Sequence, residues 1–332
     1  MILVQAVLVR QTKELPDEKT VKSDEKEMQR MIYTVTLNPA VDYTVYMDEL
    51  KRGEINRSRS ENVFFGGKGI NVSKVLEALG VKSVALGFSA GFTGLAIEDD
   101  LSKKGIAADF VRLKNGFTRI NVKLREGVET DINTAGPQID ENETAELFEK
   151  LDRLNQNDLL ILSGSVPKCM PSDTYEKILE RLLPKGVRAV VDAEGGLLEK
   201  ALKYRPFLIK PNAEELGELF GVKIEDAKEA AVYAQRMRRE GAENVLVSMG
   251  KEGAVLVDRN GQKHFSAAFS GKTVNTVGAG DSMVAGFIAG YEKTGDFDYA
   301  LRLGTAAGSA TAFSEGLAEG EHILKLFESR EI

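Results

Sequence analysis

The segment Asn275-Thr276-Val277-Gly278-Ala279-Gly280-Asp281 holds the combination best suited to chemistry: two glycines and an acid on the threshold of an apolar helical run through Met283 and Phe287. Glycines at a helix start let the backbone approach a ligand closely. The first-turn N–H groups lack intrahelical acceptors and so suit an anion. An aspartate in the same turn can take a proton from a hydroxyl attacking beside that anion. The same residues also describe an ordinary tight turn followed by an acid that favours the helix dipole. A second segment, Gly66-Gly67-Lys68-Gly69-Ile70-Asn71, again opens a helix. Its backbone amides, the Lys68 ammonium and the Asn71 amide could hold a polyhydroxy or phosphorylated ligand. A plain turn with a solvated lysine fits it equally well.

Other chemistries are excluded by residue type. Gly271-Lys272-Thr273 has the end of a phosphate-binding P-loop, but Ser266 stands where the upstream glycine is required. Gly278 and Gly280 begin a dinucleotide fingerprint whose third glycine position is Met283. Cys169 is the only cysteine, read as inert, and His264 and His322 are the only histidines. No thiolate or histidine metal site can be built from these, so a divalent cation must be held by oxygen ligands.

The elements that position these loops follow from composition and pattern. The 332 residues suffice for one large α/β domain, and 42% hydrophobic with 29% charged residues is ordinary for a globular protein. A net charge of −7 argues against a nucleic-acid or anionic-membrane surface, leaving a local pocket for any anion. No apolar run is long enough to span a bilayer, and the opening Ile2-Leu3-Val4 stretch lacks a basic region before it, so a cytoplasmic location is expected. Residues 11–30 are dense in Lys, Glu and Asp. Residues 1–30 are therefore expected to be a disordered or non-native leader, with the folded domain at 31–332 beginning at Met31.

From residue 70 onward helical and strand patterns alternate. Strands are expected at 31–37, 81–88, 159–162, 189–191, 207–209, 245–247 and 254–257, and helices at 70–79, 144–154, 174–183, 197–202, 213–220 and 226–239. Near-continuous apolar strands separated by helices predict a doubly wound, mainly parallel sheet covered on both faces, with ligands at the carboxyl ends of the strands. Residues 41–65 and 110–135 break this rhythm and alternate residue by residue. They are expected to form half-exposed antiparallel strands of a small projecting lid sheet over the site.

Taken together the two glycine loops are more specific than either alone. The chain resembles the PfkB, or ribokinase-like, carbohydrate kinases from about Met31 to Phe327. One family signature matches Gly66 through Leu76, a second matches Asn275 through Gly286, and Asn212-Ala213-Glu214-Glu215 looks like the N-x-x-E element. Asn38-Pro39-Ala40-Val41-Asp42 supplies a fourth match in order. Within the family the chain is similar to the phosphofructokinase branch, which includes 1-phosphofructokinases and tagatose-6-phosphate kinases. Thr36-Leu37-Asn38-Pro39, the lysine of Gly-Gly-Lys-Gly, residues 118–123, and Asn275 where many members carry Asp all point there.

The resemblance implies a three-layer ribokinase-like fold and transfer of the ATP γ-phosphoryl group to a hydroxyl of a sugar phosphate. D-fructose 1-phosphate is the expected substrate; tagatose 6-phosphate and fructose 6-phosphate are alternatives. A non-catalytic sugar-phosphate sensor would be expected to carry a damaged base or anion loop. Carried onto this sequence, Asp281 is the base, and Gly278, Ala279 and Gly280 supply amides to the transferring group. Asp42, Gly67, Asn71 and Ser165 touch the sugar, while Lys68 and Arg119 anchor its existing phosphate, far from Asp281. Lys210, Asn212, the loop Ser248-Met249-Gly250-Lys251-Glu252-Gly253, Gly280 and Ser309 face ATP. Asp192, Asn212 and Glu215 steer Mg²⁺ through water. A homodimer through the lid is expected as well.

Overall fold

The computed structural model describes residues 30–126, 129–193 and 195–330. The expected leader at 1–30, apart from Arg30, lies outside them. In chain order the elements begin with β1 (Ile32–Thr36), β2 (Ala40–Tyr46), β3 (Ser60–Gly66), α1 (Lys68–Ala78), β4 (Ser83–Ala90) and α2 (Gly91–Lys103). There follow β5 (Ala107–Ala108), β6 (Val111–Leu113), β7 (Arg119–Arg125), β8 (Glu129–Ile132), α3 (Glu141–Leu151), β9 (Leu159–Ser163) and α4 (Thr174–Leu182). Then come β10 (Arg188–Asp192), α5 (Gly196–Ala201), β11 (Leu208–Ile209), α6 (Ala213–Phe220), α7 (Ala227–Glu240) and β12 (Asn244–Ser248). The chain closes with β13 (Ala254–Val257), β14 (Lys263–Ser266), α8 (Ala279–Thr294), α9 (Phe297–Ala312) and α10 (Gly320–Glu328).

The large sheet runs β14-β13-β12-β11-β10-β9-β1-β4-β5, with β6 also on β4. Its pairs are parallel from β5 across to β12 and antiparallel through β13 and β14. Side chains of a strand alternate between faces, and here both faces are apolar. Leu160, Leu162, Val191, Ile209, Val245 and Val247 pack against α3 to α7, whereas Leu159, Ile161, Val190, Leu208 and Leu246 pack against α1, α8, α9 and α10. This is the three-layer, doubly wound architecture expected from the sequence. Among the described residues no helix is long and apolar enough to cross a membrane.

The second sheet has the order β3-β2-β7-β8 and corrects the expectation of an all-antiparallel lid. β2 pairs with β3, and β7 with β8, antiparallel, but the central β2–β7 pair is parallel. The reason is connectivity: β2 leaves the carboxyl end of β1, while β7 arrives after α2 and the strands β5 and β6 rather than through a hairpin. The start of the 110–135 stretch is also corrected, because β6 joins the main sheet alongside β4.

Candidate active site

Parallel strands end on the same side, so their last residues and the turns after them form one rim. Asn38 follows β1, Ser163, Gly164 and Ser165 close β9, Asp192 closes β10, Lys210 and Asn212 follow β11, and Ser248 closes β12. All line a cleft of about 560 Å³. The first turns of α1 and α8 contribute Gly67, Lys68, Asn71, Gly278, Gly280 and Asp281, and the lid contributes Asp42, Arg119 and Asn121. Fourteen of the sequence-predicted site residues therefore share one cavity, Glu215 among them.

The helix starts are held close by small residues. Ile70 N–H donates to Thr36 Oγ1 at 2.9 Å, seating α1 on the end of β1. A Cβ at Gly69 would lie 2.6 Å from that same Oγ1 and 2.7 Å from the Val35 carbonyl, so only glycine permits this approach. Gly278 stands before α8 at φ 79°, a left-handed conformation that costs glycine nothing. Ala279 departs from its expected role: its N–H donates to Thr276 O at 3.2 Å, closing the turn, and the residue is not on the cleft wall.

Asp281 is 5% exposed, and its Oδ2 accepts from Asn71 Nδ2 at 2.8 Å. Burial, and then the charge of Asp192, push its carboxyl up to about 6, against the pull of the Asn71 hydrogen bond and the Lys68 and Lys210 ammonium charges. Lys210 Nζ lies 3.2 Å from Asp192 Oδ1, with both side chains almost fully buried. The same Nζ is 3.3 Å from where a Cβ on Gly280 would stand, which puts the ammonium against the first turn of α8. Lys68 runs past Gly164, and its charge acts on Asp281. It belongs to the Asp281 side of the cleft, not to a remote anchor, because it is the first residue of α1, three before Asn71.

On the lid, Asp42 accepts from Asn121 Nδ2 at 2.8 Å and from Lys123 Nζ at 3.1 Å. Arg119 donates to the Asn38 and Pro39 carbonyls at 3.1 and 3.4 Å, and burial lowers the proton affinity of its guanidinium. Among the described residues no carboxylate comes within 4 Å of it, so its charge is available to an anion.

Asn212 and Glu215 form a reciprocal cap on α6. Asn212 Oδ1 accepts the Glu215 N–H at 2.8 Å, and Glu215 Oε2 accepts the Asn212 N–H at 2.7 Å. Met249 through Gly253 and Ser309 are not brought to the cleft wall. The former make the tight turn between antiparallel β12 and β13, closed by Met249 N–H donating to Gly253 O at 2.8 Å; Ser309 Oγ accepts the Phe269 N–H at 3.4 Å. Reading the sequence missed Asn38, Asn121, Lys123 and Ser163. The alternation of β7 held the signal for two of them: positions 119, 121 and 123 share one face.

Residues 35–323 match the pfkB family carbohydrate kinase. The chain is 47% identical over 296 residues to a 1-phosphofructokinase of Bacillus subtilis, covering 89% of this chain and 97% of that protein. It is 40% identical over 290 residues to a D-tagatose-1-phosphate kinase of Bacillus licheniformis, covering 87% and 95% respectively. It also superposes on phosphofructokinase-2 from Escherichia coli in complex with fructose-6-phosphate, with a TM-score of 0.83 and 27% identity over 91% of this chain and 100% of that one. The match of family, the near-full-length relatives and the shared layers agree: this chain belongs to the pfkB family of carbohydrate kinases.

Proposed function

We propose that this kinase transfers the γ-phosphoryl group of ATP to the 6-hydroxyl of D-fructose 1-phosphate, giving D-fructose 1,6-bisphosphate. The observation that carries the chemistry is Asp281, a buried carboxylate with proton affinity raised to about 6, in the first turn of α8 beside the Lys210 ammonium. A base with that affinity is ionised at neutral pH yet basic enough to accept the proton of the attacking hydroxyl. The Gly280 amide and the Lys210 and Lys68 charges face the oxygens of the transferring group. Phosphoryl transfer asks mainly for such positioning and charge. Asp42, Asn71, Gly67 and Ser165 receive the sugar hydroxyls, and Arg119, which among the described residues bonds to main-chain carbonyls, takes the phosphate already present.

Lys210, Asn212 and Ser248 extend the cleft toward ATP, with the Met249–Gly253 turn and Ser309 beyond them on the nucleotide side. Magnesium brought in with ATP would supply neutralisation of phosphate charge. No group of three or more acidic, His or Cys side chains able to hold a metal exists among the described residues. The donors fit an ion that keeps most of its water: Glu215 has one carboxylate oxygen outside its cap, Asn212 Oδ1 a second lone pair, and Asp192 stands nearby. The lid's outer face carries Val63, Tyr43 and Ile132, which are 49%, 36% and 51% exposed and lie in one row across the strands, with Val122 between Tyr43 and Ile132. That apolar face supports a homodimer through the lid, which light scattering showing only monomer would overturn.

Both curated relatives described above carry names that put a phosphate on carbon 1 of a ketohexose. D-tagatose 1-phosphate, the 4-epimer, is therefore the second reading. A coupled kinase assay with D-fructose 1-phosphate, D-tagatose 1-phosphate, D-tagatose 6-phosphate, D-fructose 6-phosphate and free fructose decides. Fructose 1-phosphate should lead in kcat/KM by at least about tenfold. A lead by either 6-phosphate would overturn the substrate assignment while leaving the kinase class intact.

A further inference from the structure

We propose that Asn121 and Lys123 are positioning residues that hold the Asp42 carboxylate in place as an acceptor for two hydroxyls of the bound sugar. The inference deepens the kinase reading above and rests on it. Asp42 and Asn121 are direct partners across the parallel β2–β7 pair, and Lys123 is one pleat further along the same face. The two carboxylate oxygens are divided between them: Asn121 Nδ2 donates to Oδ1, and Lys123 Nζ approaches Oδ2. Each oxygen keeps a lone pair, and the carboxylate, 26% exposed, lies on the wall of the cleft.

The state of Asn121 itself separates this role from ordinary scaffolding. The residue is 6% exposed, and its Oδ1 is buried with no hydrogen-bond partner among the described residues. A buried amide placed for its own bonding would satisfy both ends. Here only the end toward Asp42 is satisfied, so the carboxylate sets the amide's orientation. Lys123, 12% exposed, sets an ammonium against the second oxygen, and a carboxylate accepts hydrogen bonds without donating them.

An acceptor-only group accepts hydroxyl donors and repels phosphate. Arg119, one pleat before Asn121 on the same face, does the reverse. The lid face thus presents a cation and then a clamped anion to the substrate, and a sugar phosphate can satisfy both in one polarity. Asn121 and Lys123 act on specificity through Asp42 without touching the reacting atoms.

The test is a set of variants in the full chain: Asn121→Ala, Lys123→Met, Lys123→Arg, Asp42→Ala, and each of the first two combined with Asp42→Ala. Asn121→Ala and Lys123→Met should raise KM for the sugar phosphate by roughly ten- to a hundredfold, leaving kcat and the KM for ATP within about threefold. Lys123→Arg should recover most of the loss. With Asp42→Ala already present, neither substitution should cost more than about twofold, since the group they position is gone. Losses that persist undiminished in that background, or that fall equally on kcat and ATP binding, would overturn the proposal and mark the pair as structural. A wild-type chain inactive on every sugar phosphate would instead remove the kinase reading itself, and this inference with it.

Discussion

Two aspartates face the same cleft from opposite walls, and their surroundings differ in kind. Asp281 sits on the floor, almost fully buried, with another acid, Asp192, close enough to resist its ionisation. Asp42 sits on the lid, partly exposed, with a donor on each oxygen. Burial and a like charge raise proton affinity, as the proposed base requires; clamping by an amide and an ammonium fixes orientation, as the proposed recognition of sugar hydroxyls requires. Fold position separates the two tasks. The floor is built from strand ends and a helix start locked into the core, and the lid from a four-stranded sheet with solvent on its outer face.

The sharpest way to break that contrast is at the floor. Asp281→Ala should lower kcat by about 10²–10⁴-fold while ATP and sugar-phosphate affinities, measured calorimetrically, stay within several-fold. More than about a tenth of wild-type kcat remaining would remove Asp281 as the base. Lys210→Met should act next most strongly and on stability, because it strands Asp192 as an uncompensated buried charge; a loss of about 3–5 kcal/mol in denaturant unfolding is expected. Lys123→Met, at the partly buried pair on the lid, should cost less stability than Lys210→Met, because Asp42 keeps its Asn121 hydrogen bond and some access to water.

A third test uses pH. The Asp281 carboxyl is raised in the folded chain, so protonation favours folding, and that contribution is lost as pH climbs from about 4 through about 6. Asp281→Asn, always neutral, should therefore be more stable than wild type at pH 8, by an amount on the order of 3 kcal/mol for a shift from 3.8 to about 6. The gain should vanish near pH 4, and equal melting curves at pH 8 would refute the ionisation cost. In the wild type, kcat/KM should fall as pH drops below about 6. Asp192→Asn should move that limb to lower pH and Asn71→Leu to higher pH, following the two largest influences that can be removed singly. Any shift of the limb in the reverse direction would show that a different group titrates.

Much of the floor is legible in the sequence because its features are local. Apolar strand runs, the glycines before α1 and α8, and the Asn212-x-x-Glu215 spacing each announce themselves within a few residues, and α6 falls at 213–220 as expected. The lid is less legible. Alternation identifies half-exposed strands but says nothing of the direction of their partner, so the parallel β2–β7 pair is invisible until the connection through α2 is known. Lys123 looks like one more solvated charge until Asp42 is set beside it. Helix α9 escapes for a further reason: its run of Gly304, Thr305, Ala306, Ala307 and Gly308 is buried on every side, leaving no apolar stripe to count.

The bond from Asn71 to Asp281 joins residues 210 positions apart in the chain. Its donor lies on the first helix and its acceptor on the eighth, and the strands β9 to β12, laid down between them, form the rim of the same cleft. A chain emerging from the ribosome therefore contains all four lid strands long before it contains Asp281. Fragments that end before residue 281 lack not only that acid but also most of α8 and all of α9 and α10, which cover one face of the main sheet, so the last helices complete the core and the cleft together.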